Sequence, residues 1–412
     1  MKSPLADITV IEVDNFVASP SAAAILADLG ARVIKVEPLA GDPWRGLSRP
    51  TKNDELSEEL RQLDFQFDVD NRGKESIAVA LDQPEGAALV RKLVMKADIF
   101  MCNLLIHRQE KFGLDPETLL KLRPSLVHAT LTGYGTSGPD ALRPGYDVTA
   151  FFGRSGLYDA LREGEDGTVP MSRPAQGDHT TGLAFVGAIL AALRLAEKTG
   201  EGQVVETSLY ETAVWTQASD YAVTAVDHAP VRRRTRKELF AITGNRFPCG
   251  DGKWVVFNMM PDAAYWAPMC RAIGVEGLIG DERFIDSRAR YRNMGVLIDL
   301  VDTALAKKSR DDWGVIFDKA GLIWGPVLAL HEVAQDPHAI ELGMFPEMEH
   351  AQAGVYRTVN IPMRFARTQV KPRHPAPNIG AHTQSVLVEF GFSEDEIDIM
   401  SEAMTIGIGK HV

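Results

Sequence analysis

Cysteine is scarce in this 412-residue chain, which contains Cys102, Cys249 and Cys270 and no others. Because the three are odd in number and far apart, they give no disulfide framework, and they indicate a reducing compartment. The ten histidines show no H-E-x-x-H pattern and no pairing with cysteine at metal-ligand spacing, and C-x-x-C is missing too. We therefore expect a cytoplasmic protein without a metal.

Positive charge is in the minority as well. Lys and Arg together number 44 against 56 for Asp and Glu, which leaves a formal net charge of -12 at pH 7. Such a surface repels nucleic acid over most of its area, so an anionic ligand must meet a local basic patch. Asp7 and Glu12 interrupt the N-terminal segment, and the apolar stretch Gly182–Leu193 stops at Arg194, short of the ~20 residues that cross a bilayer. We expect neither nucleic acid nor a membrane as a partner.

Familiar nucleotide and hydrolase motifs are missing. The chain has no P-loop and no G-x-S-x-G nucleophile elbow. The stretch GYGTSG (Gly133–Gly138) fits the spacing of a dinucleotide fingerprint, but a real fingerprint opens a helix at its last glycines. Here Pro139 and Pro144 follow; each lacks an N–H and biases the preceding residue away from helix. We therefore predict an irregular loop and no dinucleotide.

The first half of the chain does contain a regular alternation of β-branched runs and amphipathic segments. ITVIEV is followed by a helix candidate from Pro20 to Leu29, and ARVIKVE, SIAVAL, IFMCN and LVHATL continue the series of strands. Strands separated by helices predict right-handed crossovers and a parallel sheet that is covered on both faces. Ligands bind such sheets at the carboxyl ends of the strands.

The middle of the chain has a different pattern. RRRTRK (Arg232–Lys237) is typical of a solvated linker, and GNRFPCGDGKWVVFNM after it predicts a hairpin with Asp251 and Gly252 at the turn. We expect an α/β fold with a Rossmann-like parallel-sheet large domain and a smaller α+β domain. The expected boundaries are 1–213 and 333–412 for the large domain, 214–244 for the linker and 245–332 for the small domain.

Asp178 stands at the start of the longest helix candidate, DHTTGLAFVGAILAALRLAEKTG, whose small residues let another backbone approach closely. An aspartate in this place is most often an N-cap whose carboxylate accepts helix N–H groups. The same place also keeps a carboxylate ionised and offers N–H groups to an oxyanion that forms when the carboxylate attacks a carbonyl. Position alone favours the capping interpretation.

Several stretches, taken in order, carry a resemblance to a known family. They are LADLGARVIKVEPLAGD (Leu26–Asp42), NRGKESI (Asn71–Ile77), GYGTSGPDALRPGYD (Gly133–Asp147), GDHTTG (Gly177–Gly182), TGEGQVVETSLYE (Thr199–Glu211), DPHA (Asp336–Ala339) and GAHT (Gly380–Thr383). Their order and spacing are specific and span nearly the whole chain. The chain resembles the class III CoA-transferases, which include formyl-CoA, carnitine and bile-acid CoA-transferases and, as a branch, α-methylacyl-CoA racemase.

The resemblance implies an α/β large domain built from both chain ends, a smaller domain between them, and an interlocked homodimer. It implies coenzyme A, bound as acyl-CoA, and a carboxylic acid acceptor as the partners. Asp178 matches the family's catalytic aspartate, whose carboxylate attacks the donor thioester, forms a mixed anhydride and then becomes an aspartyl-CoA thioester.

Further site residues are carried over from the same resemblance. Tyr146 and Asp147 match the family's active-site loop, where Asp147 would help to position Asp178 or would cap backbone N–H groups. The positions that match CoA contacts are Val17, Ala18, Ala80, Leu81, Asn103, Leu104, Leu105, Lys111 and Arg143. Of these, Lys111 and Arg143 would supply the positive charge that the CoA phosphates require.

Departures from the family pattern limit the substrate and leave alternatives open. Val17 stands where formyl-CoA transferase has glutamine, and Pro38 where it has arginine, so formate or oxalate is not expected as the substrate. The apolar segment Asn15–Ser19 indicates a larger, less polar acyl group. The racemase branch has histidine where this chain has Tyr146, and a phenol is a poor proton shuttle at neutral pH, which favours a transferase. A non-catalytic acyl-CoA-binding protein on the same fold is the third alternative.

Overall fold

A computed structural model describes residues 3–47, 51, 55–351 and 353–409. The chain forms two compact units. The described parts of Met1–Tyr158, Met171–Asp227 and Ile340–Val412 make the first unit, and Asp159–Pro170 with His228–Ala339 makes the second. The expected linker 214–244 divides between the two units, and the domain boundaries expected from the sequence stay a prediction.

The strands are β1 (Thr9–Val13), β2 (Arg32–Glu37), β3 (Lys74–Val79), β4 (Ile99–Cys102), β5 (Val127–Thr132), β6 (Val204–Ser208), β7 (Arg246–Pro248), β8 (Trp254–Phe257), β9 (Trp324–Val327), β10 (Glu347–His350), β11 (Gly354–Arg357) and β12 (Ile406–Gly407). The α-helices are α1 (Ala18–Asp28), α2 (Glu58–Gln62), α3 (Phe65–Asn71), α4 (Pro84–Val94), α5 (Ile106–Phe112), α6 (Pro116–Leu122), α7 (Leu157–Ala160), α8 (Gln176–Thr199), α9 (Leu209–Thr216), α10 (Ala218–Asp227), α11 (Asp262–Ala272), α12 (Ser287–Arg292), α13 (Met294–Leu305), α14 (Arg310–Lys319), α15 (Leu330–Val333), α16 (Pro337–Glu341), α17 (Thr383–Glu389) and α18 (Glu394–Glu402). A π-helix spans Asp147–Arg154.

A seven-stranded sheet forms the centre of the first unit, in the order β12–β3–β2–β1–β4–β5–β6. Every neighbouring pair is parallel except β12 with β3. The parallel sheet predicted from the alternating pattern is confirmed. Since the chain places β2 on one side of β1 and β4 on the other, the carboxyl ends of β1 and β4 border the point where the order reverses, and ligands bind there in such sheets.

Strands β1 to β5 are largely buried on both faces, as expected for a parallel sheet covered by helices, whereas the edge strand β6 is partly exposed. Val10 of β1 belongs to a core that includes Phe185 of α8. The next residue, Ile11, belongs to a second core with Val90 of α4. Successive residues of one strand therefore pack against helices on opposite faces.

The pair α1 and α8 packs unusually closely because the contact is made of small side chains. A Cβ atom added to Gly182 would lie 2.3 Å from Ser21 Oγ and 3.0 Å from the carbonyl oxygen of Ala18. This confirms the close approach predicted from the small residues. The helix continues past Arg194 and is long and apolar enough to cross a membrane by composition, but 44% of its apolar window is buried inside the fold.

The C-terminal segment closes one edge of the sheet. Ile406 and Gly407 of β12 pair with Val79 and Ala78 of β3. Thr383 Oγ1 accepts a hydrogen bond from the Ala78 amide at 3.1 Å and donates one to the Gly407 carbonyl at 2.7 Å. The edge strand β12 therefore comes from a part of the sequence that is distant from β3.

The second unit contains the antiparallel sheet β7–β8–β9 and helices α11 to α14. The hairpin predicted around Asp251 and Gly252 is confirmed as β7 and β8, and Gly252 adopts a φ of 75° at the turn. Trp266 is buried in the core of this unit with Phe257 and Phe317. It is therefore a core residue of this unit.

Candidate active site

A cleft of about 260 Å³ lies at the carboxyl ends of β1, β4 and β5. These strands end at Val13, Cys102 and Thr132, and the segments after them supply most of its wall. The wall consists of residues 15–18, 103–105, 108, 131–133, 144–146, 178 and 209. The cleft lies where the order of the parallel sheet predicts a ligand site.

Asp178 lies in this wall and does not cap its helix. Helix α8 begins at Gln176, after Ala175 with a φ of 60°, so Asp178 is the third helical residue. Its partly buried carboxylate accepts no hydrogen bond from the residues that the structure describes. The capping interpretation is therefore wrong.

Asp147, which is distant in sequence, accepts a hydrogen bond at the start of α8 and so takes the place of an N-cap residue. It opens the π-helix, is buried, and accepts a hydrogen bond from the Gly177 amide at 2.9 Å through Oδ1. A Cβ atom on Gly177 would lie 2.3 Å from that same oxygen, so only glycine lets the carboxylate reach the helix start. The loop carboxylate thus fixes the first turn of α8, and with it the place of Asp178.

The groups around Asp178 shift its pKa in opposite directions. Burial raises the pKa of Asp178 from 3.8 to about 7, and the charge of Asp147 adds to the rise, whereas His179 counteracts it. His179 Nε2 lies 2.8 Å from Asp70 Oδ1. Burial by itself lowers the pKa of His179, but the hydrogen bond to Asp70 and the neighbouring carboxylates outweigh it, so that this pKa is raised. Asp178 therefore changes its charge near neutral pH.

The loop that carries the GYGTSG stretch forms another part of the wall. No helix follows its last glycine before the π-helix, so the irregular loop predicted from the prolines is confirmed. A Cβ atom on Gly133 would lie 2.6 Å from the Gly145 Cα, and one on Gly145 would lie 2.7 Å from Tyr134 Cε2. These glycines close the loop on itself and place Tyr146 in the cleft.

The structure brings most of the predicted site residues together. Val17, Ala18, Asn103, Leu104, Leu105, Tyr146 and Asp178 all line the cleft. Ala80 and Leu81 line a neighbouring cleft of about 240 Å³, which shares Asn15, Leu104 and Arg108 with the first. The contacts of these residues with CoA stay a prediction.

The two predicted phosphate-binding cations lie outside both clefts. Lys111 forms an exposed ion pair with Asp82 at 3.0 Å. Arg143 lies 3.7 Å from Asp140, and its guanidinium is 5.5 Å from the centre of the Tyr134 ring. Both cations are already engaged with neighbouring side chains.

Arg108 is the cation that sequence reasoning missed. It lines both clefts, is exposed, and has no carboxylate within ion-pair distance among the described residues. The available signal was its place on α5, one helical turn before Lys111, where it follows the end of β4.

A larger, mostly apolar cavity of about 520 Å³ lies beside His179 and Asp70 and contains none of the predicted site residues. In the part of the chain that the structure describes, no group of three or more His, Cys, Asp or Glu side chains is arranged to hold a metal.

Comparison with known proteins adds relatives of nearly the same length. Residues 5–383 match the family model described as CoA-transferase family III. The chain is 28% identical over 403 residues to the (R)-2-hydroxy-4-methylpentanoate CoA-transferase of Clostridioides difficile, covering 98% of this chain and 99% of that one. It is 31% identical over 418 residues to the cinnamoyl-CoA:phenyllactate CoA-transferase of Clostridium sporogenes, covering 98% and 97%. A CAIB/BAIF family protein from Brucella suis superposes with a TM-score of 0.83 at 28% identity, over 95% of this chain and 100% of that chain.

Proposed function

The chain belongs to CoA-transferase family III and is a CoA-transferase, and from this premise we propose that it works through a covalent thioester of Asp178. The donor is an acyl-CoA and the acceptor is a carboxylic acid. The observation that carries the proposal is the Asp178 carboxylate, which lies in the cleft at the strand ends without a hydrogen-bond partner among the described residues.

The reaction balances without a metal or an added energy source. An Asp178 oxygen attacks the thioester carbonyl carbon of the donor, and the C–S bond breaks to give a mixed anhydride and CoA thiolate. The thiolate then attacks the Asp178 carbonyl carbon and releases the donor acid as a carboxylate. An acceptor carboxylate oxygen attacks the carbonyl carbon of the aspartyl-CoA thioester, and the C–S bond breaks to give a second mixed anhydride and CoA thiolate. The thiolate attacks the acceptor carbonyl carbon of this anhydride, which forms the acceptor thioester and releases the Asp178 carboxylate.

The pKa of Asp178 fits a nucleophile of this kind. A carboxylate whose pKa lies at about 7 is more basic than an ordinary aspartate, yet it is still largely ionised just above neutral pH. Burial and the charge of Asp147 keep it in this range. We propose Asp147 as the positioning residue, because it holds the helix start and also raises the basicity of its neighbour.

The oxyanion donors would come from α1 and not from α8. The Gly177 amide at the start of α8 is already bound to Asp147. The amides of Val17 and Ala18, at the start of α1, make no hydrogen bond within the described parts of the chain, and both residues line the cleft. Amides at a helix start carry partial positive charge, which suits an oxygen that becomes negative during attack.

The CoA moiety would extend from this cleft into its neighbour. Ala80 and Leu81 line the second cleft, and Arg108 stands at the boundary. Its guanidinium lies 5.7 Å from the centre of the Phe112 ring and has no carboxylate within ion-pair distance among the described residues. A guanidinium binds phosphate oxygens strongly and in pairs. We propose Arg108 as the main phosphate ligand, with Lys111 and Arg143 available only if they leave their present partners.

The interlocked homodimer and the cytoplasmic location are parts of the same proposal. The family resemblance supports the dimer, and light scattering after gel filtration would measure it. Cys102, Cys249 and Cys270 are free and buried, which suits a reducing compartment.

The test is peptide mass spectrometry after incubation with a panel of acyl-CoA thioesters, with hydroxylamine as the trap. We expect a mass change confined to the Asp178 peptide, seen with some thioesters and missing from Asp178→Asn. If Asp178 stays unmodified while the α-hydrogen of a branched acyl-CoA exchanges in heavy water, the racemase alternative replaces the proposal. If thioesters bind and neither change occurs, the protein is a non-catalytic binder.

A further inference from the structure

Phe16 has a backbone conformation that its surroundings impose. Its φ of 65° lies in the left-handed region, which residues with a side chain rarely adopt. The Asn103 side chain accepts from the Asn15 amide at 3.2 Å and donates to the Asn15 carbonyl at 2.7 Å. The Phe16 amide itself donates to Asp42 Oδ1 at 3.1 Å. Asn15 and Phe16 are therefore hydrogen-bonded to residues that follow two different strands, Asn103 after β4 and Asp42 after β2.

Asp42 is held in turn by buried charge. Lys35 Nζ, fully buried on β2, lies 2.9 Å from Asp42 Oδ2 and donates to the Asp14 carbonyl at 3.0 Å. The Asp42 amide donates to Glu37 Oε2 at 2.9 Å. Buried, mutually bonded groups of this kind move little, so the direction of the Phe16 side chain is set by the sheet itself.

The ring of Phe16 meets the ring of Tyr146 across the cleft wall. The ring centres are 5.5 Å apart and the planes meet at 84°, an edge-to-face arrangement. Tyr146 directly precedes Asp147, the residue that holds the helix start of Asp178. Two aromatic rings, placed by independent elements, thus stand in the same cleft as the proposed nucleophile.

The rest of the wall carries almost no charge. Asp178 is its one acid and Arg108 its one base, within the described residues. Arg108 also lines the second cleft, where the proposed function places the CoA phosphates. A second carboxylate on the acyl group would therefore lose water without gaining a cation, and burial of an unpaired charge is strongly unfavourable.

We infer that Phe16 and Tyr146 select acyl groups that carry an aromatic ring and no second charge, an inference that rests on the proposed covalent transfer. A substrate ring would pack edge-to-face or offset against these two rings, as aromatic side chains do with one another. Dicarboxylic acyl groups would be rejected because the wall offers them no second cation.

The test measures the second-order rate constant for formation of the Asp178 adduct with 3-phenylpropionyl-CoA and with succinyl-CoA. This readout needs no acceptor acid. We expect the unmodified protein to favour the phenylpropionyl donor by about tenfold or more. Phe16→Ala and Tyr146→Ala should each lower that ratio by roughly three- to tenfold. Tyr146→Phe keeps the ring and is the matched control, with a ratio within about twofold of the unmodified protein.

The outcomes separate this inference from the proposed function. Adducts from both donors with a preference for succinyl-CoA, or a ratio that neither alanine variant changes, overturn the inference and leave the covalent mechanism standing. Failure of both donors, while another thioester of the panel modifies Asp178, overturns the inference alone; failure of every thioester removes the mechanism and the inference together. Because Tyr146 is 54% exposed, Tyr146→Ala is expected to fold, and it provides the test if Phe16→Ala does not fold.

Discussion

Asp178→Asn should make the protein more stable while it abolishes transfer. The wild-type carboxylate is partly buried, lacks a hydrogen-bond partner among the described residues and faces Asp147. Its pKa in the folded chain is about 7 against an ordinary 3.8, so the folded state holds its proton more tightly than the unfolded state does. The stabilising effect of the protonated form is fully present below about pH 4 and is lost as the pH rises through about 7. Asparagine keeps the shape and never ionises.

The magnitude follows from the same pKa. A rise from 3.8 to about 7 corresponds at pH 8 to an upper limit of roughly 4 kcal/mol, at about 1.4 kcal/mol for each pH unit between the two values. The side chain is partly exposed and water screens its charge, so we expect a gain of about 1 to 2 kcal/mol for the variant. For a unit of this size that raises Tm by roughly 2 to 6 °C.

The assay is thermal unfolding of both proteins at pH 4.5 and at pH 8. The variant should gain little at the lower pH and most at the higher one. Asp7→Asn, at an exposed surface carboxylate, is the control and should change stability by less than about 0.5 kcal/mol at either pH. A variant that is no more stable than wild type at pH 8, or equally stabilised at both pH values, would show that the Asp178 carboxylate is adequately solvated and would refute this reasoning.

Three further changes probe the surroundings of the nucleophile, and a fourth, Gly187→Ala, is a control in the same helix. Asp147→Asn keeps an acceptor for the Gly177 amide but removes a negative charge, so the pKa of Asp178 should fall and the acid limb of the kcat/KM profile should move down by about 0.5 to 1 pH unit. His179→Asn removes a charge that lowers the same pKa, so the acid limb should move up; a shift in the same direction as for Asp147→Asn would contradict the charge model. Gly177→Ala should destabilise the fold by about 2 kcal/mol or more in chemical denaturation, since its Cβ meets Asp147 at 2.3 Å. Gly187→Ala, in the same helix with no atom within 4 Å of the new Cβ, should instead stabilise by about 0.5 to 1 kcal/mol.

The sequence predicts the sheet that positions the site better than it predicts the roles of the site residues. Alternating strand and helix patterns gave the parallel sheet, and the sheet gave the edge where Val17 and Asn103 meet. The capping interpretation of Asp178 was wrong because the helix begins earlier, at Gln176, and a carboxylate distant in sequence, Asp147, satisfies its first turn. Propensity describes neighbours along the chain, whereas this cap depends on a tertiary contact.

The sequence also does not show which basic side chains border the clefts. Lys111 and Arg108 lie on one short helix, and only the tertiary structure reveals that Lys111 is paired with Asp82 while Arg108 borders two clefts. The strained backbone at Phe16 was also beyond sequence reasoning, because its cause is an acceptor on Asp42 that lies buried beneath the loop. The apolar character of the Asn15–Ser19 segment was the one signal that pointed there.

The pairing of β12 with β3 sets the order in which a newly made chain can fold. Residues Ile406 and Gly407 are made long after Val79 and Ala78, the residues of the sheet edge with which they pair. The second unit, which lies earlier in the sequence and contains its own core, can complete its fold while the first still has an open edge. Until Ile406 and Gly407 have been made, β3 keeps unpaired backbone groups on that side, so a chain that stalls before them has an open sheet edge, which favours aggregation.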